Sequence, residues 1–326
     1  MKKVTAIAPS NVAIIKYWGR ADEELRLPVN GSISMNLSGL TTETTVEFSN
    51  RFESDMISID GALQTGTSFE KLSLHLDRIR KLANIKERAE VVSRNSFPMG
   101  TGLSSSASGF AALTMAGVAA AGMSLSEKEL SILARQGSGS ACRSIPDGFV
   151  EWKFAKSSDE SYAVSIFPAT HWNLVDIVCV LTTDVKKIST SSGQKFAATS
   201  PFFNERQERM PDKIHLIKEA IDKRDFKVFG EIMESEALEM HAIMITSKPS
   251  LIYWNPTTVV MMKEIISWRK EGLPVYFTIN TGQNIHVICE ERYEEEVTTR
   301  LEKLNCIQQL IKNKPSIGAK ILEVDS

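Results

Sequence analysis

The stretch 96–113, SFPMGTGLSSSASGFAAL, constrains this chain most, because glycine, serine and alanine run directly into an apolar helical pattern. Gly100 and Gly102 let the backbone turn at positive φ and present successive N–H groups, while Ser104, Ser105 and Ser106 set hydroxyls beside a helix N-terminus. A polyphosphate held there would meet hydrogen-bond donors and the positive end of a helix dipole together. A serine-capped helix after a flexible turn has the same composition, so the loop alone leaves both readings open. It is not a Walker A motif, since no lysine follows the last glycine, nor a GxGxxG dinucleotide loop.

The chain has 326 residues, 42% hydrophobic and 24% charged, which is enough for two lobes that share a cleft; we set their division at 1–184 and 185–326. A formal net charge of −2 with no long single-sign run gives no electrostatic footprint for nucleic acid or an anionic membrane, and neither is expected as a partner. The opening MKKVTAIAPSN carries only a short apolar run broken by Pro9, so it does not read as a signal peptide, and the cytoplasm is the expected compartment. Cys142, Cys179, Cys289 and Cys306 form no CxxC pair, and the histidines lack zinc spacing, so neither disulfides nor a structural metal is expected.

Along the chain, Val4–Ala8, Thr44–Phe48 and Met56–Ile59 read as strands, with Asn30–Leu37 a loop-to-strand transition. Apolar residues at helical spacing predict a helix over Ser68–Leu82, with Lys71 among its charges. Ala89–Ser93 returns to strand and leads into the glycine loop, and Ala107–Ala121 is a small-residue helix. Ser126 and Glu129 form a capping box for a helix ending at Gly137. A second Gly/Ser loop, RQGSGSACRS, then holds Ser138 and Ser140 with Arg143 beyond them, a fork that suits a carboxylate or phosphate. Gly148–Phe154 resumes strand, and the β-branched run Val175–Leu181 reads as a buried one. Lys186–Gly193 is a polar loop, followed by helices over Pro211–Asp222, Phe226–Ile245 and Asn255–Lys270. Pro274–Ile279 and Ile285–Cys289 are strands about a turn containing Asn280, before a charged helix over Arg292–Leu304.

Three separated motifs carry a resemblance. Ala8-Pro9-Ser10-Asn11 through Lys16-Tyr17-Trp18-Gly19-Arg20, the 98–109 loop with its Pro98, Gly102, Leu103, Ser105, Ser106 and Ala107, and RQGSGSACRS followed by Gly148–Trp152 resemble the mevalonate diphosphate decarboxylase branch of the GHMP small-molecule kinases. The resemblance implies an α+β, two-lobed GHMP kinase fold: an N-terminal lobe like a ribosomal-protein fold, a C-terminal α/β lobe and a cleft between. It implies ATP and Mg²⁺, a small phosphorylated mevalonate as substrate, and a homodimer. By the same likeness the loop residues Pro98, Gly100, Gly102, Leu103, Ser104, Ser105, Ser106 and Ala107 bind ATP, with Ser106 also on the metal. Ser138, Ser140 and Arg143 hold the mevalonate carboxylate; Tyr17, Arg20, Lys71 and Thr190 belong to the substrate site; and Lys16 and Arg143 supply positive charge during decarboxylation.

The chain also departs from the family. The family places an aspartate, in a turn resembling FDAGPN, against the substrate's 3-hydroxyl; here Asn280 stands in that place, and an amide can neither take a proton nor supply negative charge. Ser191 stands where some members have an arginine, and Ile145-Pro146-Asp147 precedes Gly148 where an aromatic and a glycine are usual. Four readings therefore stand: a decarboxylase of 5-diphosphomevalonate slowed or blocked at Asn280, a 5-phosphomevalonate decarboxylase, a mevalonate 3-kinase, and a non-catalytic homologue that binds the metabolite.

Overall fold

The structure, a computed structural model, describes residues 2–98, 102–184 and 188–325. An eight-stranded sheet forms the N-terminal lobe. In chain order it takes β1 (Lys3–Ile15) and then, after a separate hairpin of β2 (Arg20–Asp22) and β3 (Leu27–Pro28), β4 (Ser32–Ser49), β5 (Met56–Ile59), β6 (Ala62–Leu63), β7 (Arg88–Asn95), β8 (Phe149–Trp152), β9 (Ala163–Phe167) and a strand from the end of the chain, Lys320–Asp325. The helices α1 (Gly66–Ala83), α2 (Ser105–Ala120) and α3 (Glu127–Gly137) cover one face. There Leu76 and Ile79 of α1 and Leu113 and Ala116 of α2 pack on Val4, Val46 and Val91. A 3₁₀ turn, Gly139–Ser144, follows α3.

The second sheet contains β10 (Leu174–Val180), β11 (Tyr276–Thr278), β12 (Ile285–Glu290) and β13 (Gln309–Asn313), in the order β11-β12-β10-β13. Around it lie the short α4 (Thr190–Gly193), then α5 (Phe203–Lys223), α6 (Phe226–Thr246), α7 (Pro256–Lys270) and α8 (Glu294–Glu302). One apolar cluster joins Ile14, Ile33 and Met35 of the first sheet to Val178 of the second and to Ile217 and Phe229 of α5 and α6. This shared core holds the two lobes in register. The architecture is mixed α+β, as expected. A single cut at 184 does not describe sheet membership, however. β10 precedes that point yet joins the second sheet, and the final strand, β14 (Lys320–Asp325), follows it yet pairs with β1.

Local signals fared best where the chain satisfies itself. The Ser126–Glu129 capping box forms in both directions, at 3.3 and 2.8 Å, and α3 ends at Gly137. Asn255 caps α7, with Pro256 in its first turn. Strand lengths differ more. The first strand runs on through Pro9 to Ile15, and Asn30–Leu37, expected as a transition, lies mostly within the 18-residue β4. Both are covered on two faces, which removes the polar–apolar alternation that marks a half-exposed strand. Pro9 is tolerated because β14 pairs no further than Ile7 and the register with β4 shifts between Pro9 and Asn11. Helix α5 begins at Phe203 rather than Pro211, which sits inside it, and the added turns are anchored by the buried Arg206. No element was expected beyond Leu304. β13 and β14 form there through pairing with β10 and β1, and the mostly exposed β14 carries no alternation of its own.

Candidate active site

The three motifs meet because β1 touches both Gly/Ser loops. Ser10 Oγ donates to the Leu103 carbonyl at 2.7 Å, and Asn11 Nδ2 donates to Ser140 O at 3.2 Å and Ser144 Oγ at 2.8 Å. The loops are in turn joined by Ser138 Oγ and Ser106 Oγ at 3.4 Å. Gly102, at φ +92°, passes so near the Asn280 turn that a Cβ would lie 2.7 Å from Gly282 Cα. Only glycine fits where the lobes touch here.

Between them lies a cleft of about 290 Å³. Gly102, Ser104, Ser105, Ser106, Lys16, Tyr17, Arg20, Lys71, Ser138, Ser140, Arg143, Thr190 and Asn280, all expected at the site, line it. Leu103 and Ala107 are buried, supporting the loop rather than lining the cleft, and Pro98 leads into it. Gly100 lies outside the described residues, as do Lys186 and Lys187 of the polar loop. Arg26 was missed, along with Gln194 and Met240. No local signal marks Arg26; it enters because the hairpin of β2 and β3 folds over, with Arg26 at φ 52° and its Nε on the Gln136 carbonyl at 3.0 Å.

The bland reading of the glycine loop weakens on one detail. Ser104 occupies the N-cap of α2 in the left-handed region, at φ 61°, and its side chain makes no capping bond. Of the first-turn amides of α2, that of Ala107 turns back to the Ser104 carbonyl at 2.8 Å, and those ahead of it have no partner four residues back within the helix and stay available to an anion.

The charge pattern is one-sided. Lys16, Arg20, Arg26, Lys71 and Arg143 line the cleft, and among the described residues no Asp or Glu does. Arg143 is 3% exposed, with Nη1 on Ser32 Oγ at 2.8 Å and Nη2 on Asn11 Oδ1 at 3.1 Å, and no carboxylate among the described residues pairs with it. Burial pulls its guanidinium, like that of Arg26, below the usual range. Arg20 Nη2 and Arg26 Nη1 converge on Ser191 Oγ at 3.2 and 3.4 Å. Asn280 accepts from Lys16 Nζ through Oδ1 at 3.2 Å, donates to Ser104 Oγ at 3.3 Å, and takes a hydrogen bond from His241 Nε2 on its carbonyl at 3.0 Å. Thr190 and Thr281 share a hydroxyl contact at 2.5 Å, tying α4 to the same turn. A cleft of this kind attracts polyanions and desolvates them.

Residues 8–163 match the diphosphomevalonate decarboxylase-like N-terminal domain, and residues 176–323 match the mevalonate 5-diphosphate decarboxylase C-terminal domain. The chain belongs to the diphosphomevalonate decarboxylase family. It is 35% identical to diphosphomevalonate decarboxylase of Candida albicans over 321 residues, covering 93% of this chain and 88% of that protein. The mevalonate diphosphate decarboxylase of Staphylococcus aureus superposes with a TM-score of 0.93 at 36% identity, covering 99% of this chain and 98% of that one. That of Enterococcus faecalis gives 0.91 at 36% identity with 99% of each chain covered. A further structure, titled MDDEF in complex with MVAPP, AMPPCP and magnesium, gives 0.93 at 36% identity over 99% of each chain. These likenesses carry the GHMP kinase fold across both lobes of the chain.

Proposed function

We propose that this chain is an ATP-dependent decarboxylase that converts 5-diphosphomevalonate to isopentenyl diphosphate. The observation that carries this reading is the cationic cleft, with an uncapped helix N-terminus on one wall and a buried, carboxylate-free arginine on another. Release of both ADP and CO₂ from 5-diphosphomevalonate tests it, and ADP without CO₂ would make the chain a 3-kinase. The presence of Arg143 favours decarboxylation, since stopping at a 3-phosphate does not require a clamped carboxylate.

In this reading the amides and hydroxyls of the 102–106 segment cradle the ATP phosphates, with Ala107 supporting them from below. Mg²⁺ fits only as part of the nucleotide complex. No group of three acidic, cysteine or histidine side chains among the described residues could hold it, so Ser106 Oγ would add one ligand to those from the triphosphate and water. The metal supplies charge neutralisation on the transferring phosphoryl group. Replacing Ser106 by Ala is expected to cut turnover ~10²-fold, the scale of losing one donor to developing charge. Unchanged steady-state kinetics would take this loop out of the site.

Arg143, with Ser138 and Ser140, would orient the carboxylate, and Tyr17, Arg20, Lys71 and Thr190 would face the far phosphate end. Arg26 extends that group. It brings a guanidinium to Ser191, the position where some members carry an arginine, and this supports the diphosphate over the monophosphate as substrate. We expect kcat/KM to favour 5-diphosphomevalonate over 5-phosphomevalonate, and Arg26→Ala to erode that preference by ~10-fold. A clear preference for the monophosphate would overturn the assignment.

Asn280 makes the unmodified chain slow in acid, because no carboxylate meets the 3-hydroxyl there. The reading includes a cytoplasmic homodimer. The four cysteines are unpaired, as a reducing compartment keeps them, and sedimentation of the purified chain tests the dimer. No helix among the described residues is long and apolar enough to cross a membrane.

A further inference from the structure

We infer that Lys16 is the proton-transfer residue of this chain: its neutral amine takes the proton of the substrate's 3-hydroxyl during phosphoryl transfer and gives it to the departing phosphate. The inference rests on the decarboxylase reading and deepens it.

Three observations carry it. The cleft holds no carboxylate among the described residues, and Asn280 is an amide, so the usual oxygen bases are missing. Lys16 lines the cleft yet is 2% exposed. Its Nζ donates to two amide oxygens, Ala13 O at 2.7 Å and Asn280 Oδ1 at 3.2 Å. A neutral amine has two N–H bonds and one lone pair. Two acceptors take up both hydrogens, which leaves the lone pair for a third direction.

The charged groups around it agree with a neutral form. Glu236 accepts the Lys16 backbone N–H at 3.2 Å, but its carboxylate is already paired with Arg206 and, at 2.9 Å, with Lys213. Asp176 is occupied by His286 at 3.0 Å. Burial brings the Lys16 ammonium down to about 7; Glu236 and Asp176 oppose that, while Arg143 and Arg206 reinforce it. His241, on the far side of Asn280, is held neutral by burial, with its pKa lowered to about 3, and is not among the residues lining the cleft.

The step balances. As Lys16 Nζ takes the hydroxyl proton, the freed O–H electron pair forms the bond to the γ-phosphorus of ATP, and ADP leaves with the electrons of the broken β–γ P–O bond. Lys16, now an ammonium, stands beside the new 3-phosphate. It returns the proton to that phosphate as the C3–O bond breaks, and the C–C electrons of the departing CO₂ close the double bond. Substrate and ATP give isopentenyl diphosphate, CO₂, hydrogen phosphate and ADP with no proton borrowed. A carboxylate of ordinary pKa would hold that proton far less well for the second transfer.

The first test needs no substitution. Single-turnover ADP formation by the unmodified chain is expected to rise about tenfold per pH unit below about 7 and to level off above it. The second test is Lys16→Ala, expected to lose ~10²–10⁴-fold in that step and to be rescued by added ethylamine, better as more of the amine is neutral. Lys16→Arg keeps the charge and is expected to stay as slow as Lys16→Ala, with AMPPCP binding retained as the check on folding. A pH-independent rate between about pH 6 and 9, or full activity in Lys16→Arg, overturns the inference. Neither of those results touches the decarboxylase reading. ADP release with the expected pH profile but without CO₂ would sink that reading and leave Lys16 as the base. Release of neither product at any pH would remove both.

Discussion

Asn280→Asp is expected to raise turnover by ~10²-fold at about pH 5, where roughly one Lys16 in a hundred is a free amine able to act as general base. The substitution adds one negative charge with almost no change of shape, 3.2 Å from Lys16 Nζ and within reach of Ser104. The size of the gain depends on pH, and its sign follows from Lys16. Burial places that group near 7, so in the unmodified chain it is an ammonium below this value and a free amine above. Below it the free amine becomes scarce and an aspartate helps most; above it Lys16 already serves and the advantage shrinks. Parallel assays of CO₂ and ADP for both chains from acid to mildly alkaline pH test this. A flat ratio would mean that residue 280 does not meet the hydroxyl. A gain in ADP alone would turn the chain into a 3-kinase.

Arg143→Lys is expected to lose ~10²–10³-fold in turnover while nucleotide affinity stays within a few-fold. The guanidinium has five N–H donors on a planar fork, and the structure spends one on Ser32 and one on Asn11, at 2.8 and 3.1 Å. The rest remain to meet a planar carboxylate in two places. An ammonium has three donors on a single atom. It could not hold both walls and also fix the carboxylate's angle, on which C–C cleavage anti to a leaving phosphate depends. Isothermal titration with AMPPCP beside kcat measurements separates the two effects, and a loss of nucleotide binding would move Arg143 to the other end of the cleft.

How much of the site was legible follows from the range of each interaction. The capping box at Ser126 is satisfied within four residues and formed where spacing placed it, and Asn255 caps the helix that was expected to begin there. The glycine loop was legible as a candidate anion cradle because its chemistry is also local, and the structure adds only that Ser104, left-handed, makes no side-chain capping bond. Gly100 falls outside the described residues and leaves that part of the loop unplaced. Arg26 was not legible, since it becomes a cleft residue only when a short hairpin brings it to Ser191, 165 positions away. The strand Lys320–Asp325 was invisible for a related reason: its backbone pairs with β1 while its side chains carry no period.

By itself, then, the order of residues determined which chemical groups this protein owns: two glycine- and serine-rich loops, a set of cations and an asparagine in a turn. Each is readable because propensity and capping act over one or two turns of chain. The tertiary structure alone decided what those groups do to one another. Asn280 and Lys16 are 264 positions apart, and only folding leaves that lysine buried against two amide oxygens with no carboxylate beside it. Desolvation is a property of the surroundings, so a lysine's charge state in such a place is written in the packing and not in its sequence neighbours.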